Sequence, residues 1–274
     1  MKFIIIVLIL LIFLYYENNK IDISNYKITS NKIKNEDLKI LHLSDLHCKS
    51  FGKNQKYLIK KIKNINPDII VFTGDLISRK APKEKYINSY LLLEELSKTF
   101  PIYFTTGNHE YKSKALKEIQ EKLTSFGVHV LINNYEKILI KNTEVFIFGL
   151  DDATNFNEGF NKVINTLENI KDMINDSQLN ILLSHRPNFF ENQSNYNFDL
   201  IFSGHAHGGQ FRIPFTHQGI LMPDQGFFPK LTEGIHKNKN STLIISRGLG
   251  NSGFPFRLFN HPEIVVVTVN KAKF

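Results

Sequence analysis

Five short apolar runs in this chain stop at side chains able to bind metal. LKILHLS ends at Asp45 and His47, DIIVFTG at Asp75, PIYFTTG at Asn108 and His109, NILLS at His185, and DLIFSG at His205 and His207. Runs of that length and composition are buried strands. A chain that repeats the pattern gathers its functional groups at one edge of a sheet, because loops from several strands converge only at their carboxyl ends. The most demanding block is IFSGHAHGGQF, residues 201–211. Gly204, Gly208 and Gly209 permit turns and close approaches closed to larger residues, which frees the two histidines to point at different targets.

Beyond residue 37 the apolar runs alternate with amphipathic stretches, the pattern of stacked β and α layers. Strands are expected at 38–44, 68–74, 101–107, 128–133, 136–140, 144–150, 180–185, 199–204, 242–248 and 263–269. Helical spacing marks 55–65, 83–98, 113–126 and 158–170. No repeat and no Pro- or Gly-rich linker divides this region, so a single catalytic domain over 37–274 is expected after an N-terminal segment, 1–20.

That segment, FIIIVLILLIFLYY from Phe3 to Tyr16, is unbroken apolar or aromatic. It is short for a spanning helix and fits the apolar region of an export signal about as well. No small-x-small cleavage site follows, which favours an uncleaved membrane anchor with Tyr15 and Tyr16 at the interface; an exported, cleaved form and a buried core helix are the alternatives. The flanking charges lean toward a catalytic domain outside the cytoplasm. The net charge of +8 comes from lysines scattered over the chain, a field that favours anionic substrates or headgroups. Cys48 is the single cysteine, so an internal disulfide and a thiolate metal site are both excluded.

In this order the blocks D-x-H, G-D, G-N-H-E, a later H and G-H-x-H resemble the calcineurin-like metallophosphoesterase superfamily. The endings GHAHGGQFRIP and SRGLGNSGFPFRLFNHPEI resemble its membrane-associated bacterial branch of YkuE and YaeI type phosphodiesterases. The resemblance implies an α/β four-layer αββα sandwich, two mixed sheets flanked by helices. It implies two divalent metal ions, with Asp45, His47 and His207 on one, Asn108, His185 and His205 on the other, and Asp75 between them. A donor set of His, Asp and Asn suits Mn, Fe or Zn, with Mn favoured. The implied reaction is hydrolysis of a phosphodiester or pyrophosphate bond by a hydroxide held between the metals, with His109 serving the leaving group. The expected substrate is a phosphate ester, lipid-linked or from the cell envelope. A UDP-2,3-diacylglucosamine pyrophosphohydrolase is a close variant, and a non-catalytic phosphate-binding protein the rival class. The anchor and the lack of a basic, aromatic-interleaved tract argue against a nucleic-acid substrate.

Two positions depart from the superfamily's pattern. Ser78 stands where G-D-x-x-D has an Asp that orients the catalytic histidine, so the expectation is either a weaker acid-base role for His109 or Glu110 or another carboxylate as the substitute. Lys49 stands at the glycine of D-x-H-x-G, either meeting substrate phosphate or facing water. Arg212, Arg247 and Arg257 are candidates for phosphate contact or, equally, for salt bridges. The aromatics of QGFFPK, residues 225–230, are expected on a bilayer, on an apolar part of the substrate, or in the core.

Overall fold

Runs rich in Ile, Val, Leu and Phe with no helical stripe become strands buried on both faces, and the amphipathic stretches between them become helices laid on the outside. The computed structural model describes residues 1–152, 156–222, 224–251 and 253–272. In chain order the strands are β1 (Asp22–Ser30), β2 (Leu38–Leu43), β3 (Ile69–Thr73), β4 (Ile102–Thr105), β5 (His129–Val130), β6 (Asn134–Ile140), β7 (Thr143–Leu150), β8 (Leu179–Ser184), β9 (Leu200–Ser203), β10 (Leu221–Met222), β11 (Gly226–Phe227), β12 (Gly234–Asn238), β13 (Ser241–Ile245) and β14 (Glu263–Lys271). The helices are α1 (Lys2–Asn19), α2 (Lys56–Ile65), α3 (Ile87–Ser97), α4 (Asn108–Lys112), α5 (Leu116–Ser125), α6 (Phe156–Ile170) and α7 (Phe190–Gln193).

The strands form two six-stranded sheets, ordered β1-β14-β2-β3-β4-β5 and β12-β13-β9-β8-β7-β6, besides the small β10-β11 pair. Both sheets are mixed. In the first, β2 through β5 run parallel while β14 is antiparallel to β2. In the second, β7, β8, β9 and β13 are parallel and the edge strands β6 and β12 antiparallel. Because successive side chains alternate faces, Ile40, Val71 and Tyr103 point at the second sheet, where they join Ile147, Leu183, Phe202 and Ile244. Leu41, Leu43, Ile70 and Phe72 point outward onto Leu58 and Ile62 of α2, Leu96 of α3 and Leu123 of α5. The outer face of the second sheet buries Val163 and Leu167 of α6 and Phe190 of α7. Helix, sheet, sheet, helix is the four-layer order that the family resemblance implies.

Four strands lie outside the expected set: the two-residue β10 and β11, and two edge strands of the large sheets, β1 and β12. β1 has the polar sequence DISNYKITS and is half-buried in alternation. As an edge strand it needs only one apolar face, so it lacks the run that marks the others. It pairs with β14 along its whole length, Asp22 opposite Glu263 through Ser30 opposite Lys271, so the first sheet begins ahead of residue 37. β12, GIHKN, is a second polar edge strand. Within the core, Phe202 meets the edge of the His42 ring at 5.1 Å. Replacing Phe202 with Ala is expected to cost about 3–5 kcal/mol, read as a lower urea midpoint with an unchanged slope.

Candidate metal centre

The carboxyl ends of β2, β3, β4, β8 and β9 open at one edge, and there the backbone turns sharply. Asp45, His47, Asp75, His205 and His207 have φ of +52°, +49°, +54°, +65° and +47°. Few non-glycine residues adopt this left-handed region, and it persists where the surroundings dictate it. The histidines thus take up part of the turning expected of the glycines. Gly204 is required for space instead: a Cβ there would overlap Ser44 Oγ and Asp45 Oδ2.

These turns bring two groups of side chains together. In one, His207 Nε2 lies 3.2 Å from Asp45 Oδ1 and 3.0 Å from His47 Nε2. In the other, His185 Nε2 lies 3.4 Å from Asp75 Oδ2 and 3.2 Å from His205 Nδ1. Asp75 joins them, its Oδ2 3.7 Å from His47 Nε2. Its Oδ1 accepts the backbone N–H of His109 at 2.7 Å. Asn108 and His109 open α4 beside this carboxylate, with the His109 ring 4.5 Å from that of His47. All eight residues singled out in the sequence are buried here.

The rings are held from behind. His185 Nδ1 donates to the carbonyl of Thr73 at 2.6 Å, and His205 Nε2 to Asp224 Oδ2 at 3.0 Å. In the neutral rings, His185 Nε2 and His205 Nδ1 then turn their lone pairs to the centre, as ligand imidazoles require. Arg257 Nη2 packs behind His207, 3.3 Å from its Nδ1. Asn108 Oδ1 is buried with no hydrogen-bond partner among the described residues. Leaving such an oxygen unmet costs about 1–3 kcal/mol, which a bound cation removes. Two carboxylates, convergent imidazoles and an orphaned amide oxygen fit a divalent metal.

Electrostatics follow from the burial. Burial alone would raise the Asp75 carboxyl, but His185, His47 and His109 hold it well below the usual carboxylate range. Burial would lower His185, yet Asp75 and then Asp45 push it up to about 10. A proton and a cation therefore compete for the same nitrogen. Burial lowers His47 to about 3 and also lowers His109.

The cleft above the centre has a volume of about 670 Å³ and is lined by Asp75, Asn108, His109, His205 and His207 together with Arg79, Lys80, Lys112, Arg186, Phe254 and Pro255. Of the two expectations for Arg212, Arg247 and Arg257, the salt bridge holds for Arg212 and Arg247. Arg212 pairs with Glu233, Arg247 with Glu263 at 3.2 Å and Glu233 at 3.4 Å, and Arg257 is fully buried against backbone carbonyls. Arg186 and Asp224 were missed. Arg186 Nε donates to Asp152 at 2.7 Å, and its Nη1 pairs with Asp224. The signal for Arg186 was its place directly after His185; nothing local marks Asp224. Lys49 is half-buried and donates to the carbonyl of Asn18 at the end of α1. Burial, then Arg257, lowers it to about 7. Of the aromatics at 225–230, Phe227 and Phe228 are exposed rather than in the core.

Neither Ser78 nor Glu110 takes the orienting role at His109. The backbone N–H of Arg79 donates to His109 Nδ1 at 3.2 Å. Glu110 instead accepts the backbone N–H groups of Asp75 at 2.8 Å, Gly107 at 2.8 Å and Ile77 at 3.1 Å, tying the loops after β3 and β4 together. Burial and Asp75 push its carboxyl up to about 8 against those donors. Glu110→Gln turns an amide NH₂ toward a backbone N–H, and a loss of about 1–3 kcal/mol is expected in urea unfolding.

The sequence profile of the calcineurin-like phosphoesterases matches residues 38–209, from β2 through the last of these histidines. The metallophosphoesterase YkuE of Bacillus subtilis is 29% identical over 260 residues, 93% of this chain and 87% of its own. The metallophosphoesterase Cj0846 of Campylobacter jejuni is 32% identical over 278 residues, 97% of this chain and 69% of its own. Among solved structures, TT1561 of Thermus thermophilus shares the fold with a TM-score of 0.53 at 11% identity, over 77% of this chain and 90% of its own. A profile that spans most of the catalytic layers and every block of the buried centre identifies the chain as a phosphoesterase hydrolase of the calcineurin-like family, whose members use divalent metals.

Proposed function

We propose that the protein hydrolyses phosphodiester or pyrophosphate bonds at a membrane, using two divalent cations, with Mn favoured over Fe and Zn. The observation that carries this reading is the convergence of Asp75 with both histidine groups beside the orphaned Asn108 Oδ1. Asp45, His47 and His207 are the ligands proposed for one cation, Asn108, His185 and His205 for the other, and Asp75 for both. When bound, the cations supply an acidified water and positive charge for the phosphoryl oxygens.

The remaining chemistry falls to the chain itself. Asp75 is kept ionised by the surrounding imidazoles and fixed by the His109 N–H. Because Arg79 N–H occupies His109 Nδ1, the ring's proton sits on Nε2, 4.0 Å from Asp75 Oδ2 on the side of the centre. An imidazolium there would set two N–H groups against each other. His109 therefore acts as a neutral donor, giving a hydrogen bond to the charge that develops on the leaving oxygen. Arg79, Lys80 and Lys112 bring positive charge to the cleft, where a polyanionic substrate is steered and held.

A lipid-linked pyrophosphate of the UDP-2,3-diacylglucosamine type is a second reading, favoured by Phe254 and Pro255 in the same cleft as those cations. Membrane attachment is supported by α1, whose length and apolarity pass for a membrane span. We place the catalytic domain outside the cytoplasm on the charge balance around the segment.

The full chain, stripped with chelator and resupplied with Mn²⁺, is expected to hydrolyse a chromogenic diester or UDP-2,3-diacylglucosamine faster than a monoester, and Asp75→Asn to hydrolyse none. Silence on all three substrates in folded, metal-loaded protein would falsify the reading. His109→Ala is expected to lower turnover about 10²–10⁴-fold at unchanged metal content by atomic absorption. Equal loss of metal and turnover would show that His109 holds the centre rather than the leaving group.

A further inference from the structure

α1 is apolar on every side, and its residues from Phe3 to Ile12 are exposed, so no face formed by the described residues covers it. A helix hydrophobic all round with nothing packed on it belongs in lipid. The whole of α1 extends about 27 Å at about 1.5 Å per residue, but its unbroken apolar run, Phe3–Tyr16, covers only about 21 Å of the roughly 30 Å hydrocarbon core. Such a helix needs something else to fill the missing depth.

Its base is not a free tether. The Phe13 ring packs on Phe259 at 5.8 Å, and Tyr16 meets His261 edge-on at 5.5 Å. His261 Nε2 lies 3.0 Å from Glu17 Oε1, and Arg257 N–H donates to Asn18 Oδ1 at 2.9 Å. A helix that is both short and fixed at its foot draws the protein surface around that foot into the membrane interface.

That surface is aromatic. Phe215, at the tip of the turn closed by Ile213 N–H to Gln218 O, is fully exposed. Ile213, Phe215 and Phe259 line one hollow with Glu17 and His261 at the foot of α1. Phe254 and Phe256, both partly exposed, pack against Phe211 with tilted rings at 5.1 Å and 5.7 Å, and Asn251 in the same loop donates to Asn18 Oδ1 at 3.1 Å. Register places this rim at the catalytic edge. Val265 of β14 pairs with His42 of β2, and Asp22 of β1 with Glu263, so α1 enters beside the strand end that carries Asp45.

We propose that the aromatic rim around the foot of α1, Ile213, Phe215, Phe254, Phe256 and Phe259, is a second bilayer contact that seats the mouth of the metal cleft on the headgroup layer. The proposal rests on the reading of α1 as a membrane segment. Phe254 belongs to the rim and to the cleft wall alike, so a lipid-borne phosphate reaches the centre without its apolar part crossing water.

The chain contains no Trp, which makes single-Trp variants clean probes. The full chain would be placed in nanodiscs of phosphatidylcholine and phosphatidylglycerol brominated on the acyl chain near the headgroup. Probes would be Phe215→Trp, Phe254→Trp, Ile9→Trp within α1, and Leu139→Trp, exposed on β6 at the opposite sheet edge. The expected result is loss of emission at 215 and 254, as at 9, with 139 unaffected. Emission at 215 or 254 that matches 139 while 9 is quenched would overturn the rim contact and leave the anchor standing. An unquenched probe at 9 would overturn both, because the helix itself would lie outside lipid.

Discussion

The buried carboxylate of Asp75 is the charge around which the rest is arranged. It is 2% exposed, and among the described residues no lysine or arginine pairs with it. An unpaired buried carboxylate is costly and ordinarily neutralises itself. Here it survives through a backbone N–H from His109, imidazoles from both sheets, and a turn whose own N–H is held by Glu110. Those demands fix the architecture. Two sheets stacked face to face, both opening at the same edge, deliver His47 from one and His185 from the other to the same oxygen atom.

The site was legible for the same reason that it is costly. Ligand-capable residues placed directly after buried strands stand out, since few side chains are harder to leave at the end of an apolar run. Asp45, His47, Asp75, Asn108, His185, His205 and His207 were found that way, and the strands with them. What failed was everything whose meaning depends on a distant partner. β1 and β12 are edge strands with one wet face, and their sequences read as loops. Arg79, Lys80 and Lys112 line the cleft from turns and a short helix with no pattern of their own. Arg212, Arg247 and Arg257 read equally well as phosphate contacts or as salt bridges. Their carboxylate or carbonyl partners, Glu233, Glu263 and Gly250, become visible only once the chain has folded back on itself.

The departures at Ser78 and Lys49 show how backbone and side chain trade roles. Where a carboxylate was expected behind His109, a backbone N–H stands instead, which reverses the sense of the hydrogen bond and the tautomer of the ring. Where a glycine was expected beside His47, a lysine folds inward and closes the carboxyl end of α1. A cation at a helix carboxyl terminus is favourable. Lys49 and Arg257 thus join the apolar helix to the two sides of the His47 and His207 pair.

The sheet order β1-β14-β2 also bears on biosynthesis. β14, the latest strand in sequence, fills the slot between the two earliest, so that sheet stays open while nearly all of the chain is synthesised. α1 precedes β1 and β2 and is complete long before the slot is filled. In that interval β1 and β2 present unpaired edges, a ready template for another strand. β1 carries Asp22, Ser24, Asn25, Lys27 and Ser30 along its length. So polar a strand is slow to recruit wrong partners, which makes the sequence that hid it from view a safeguard during the wait for β14.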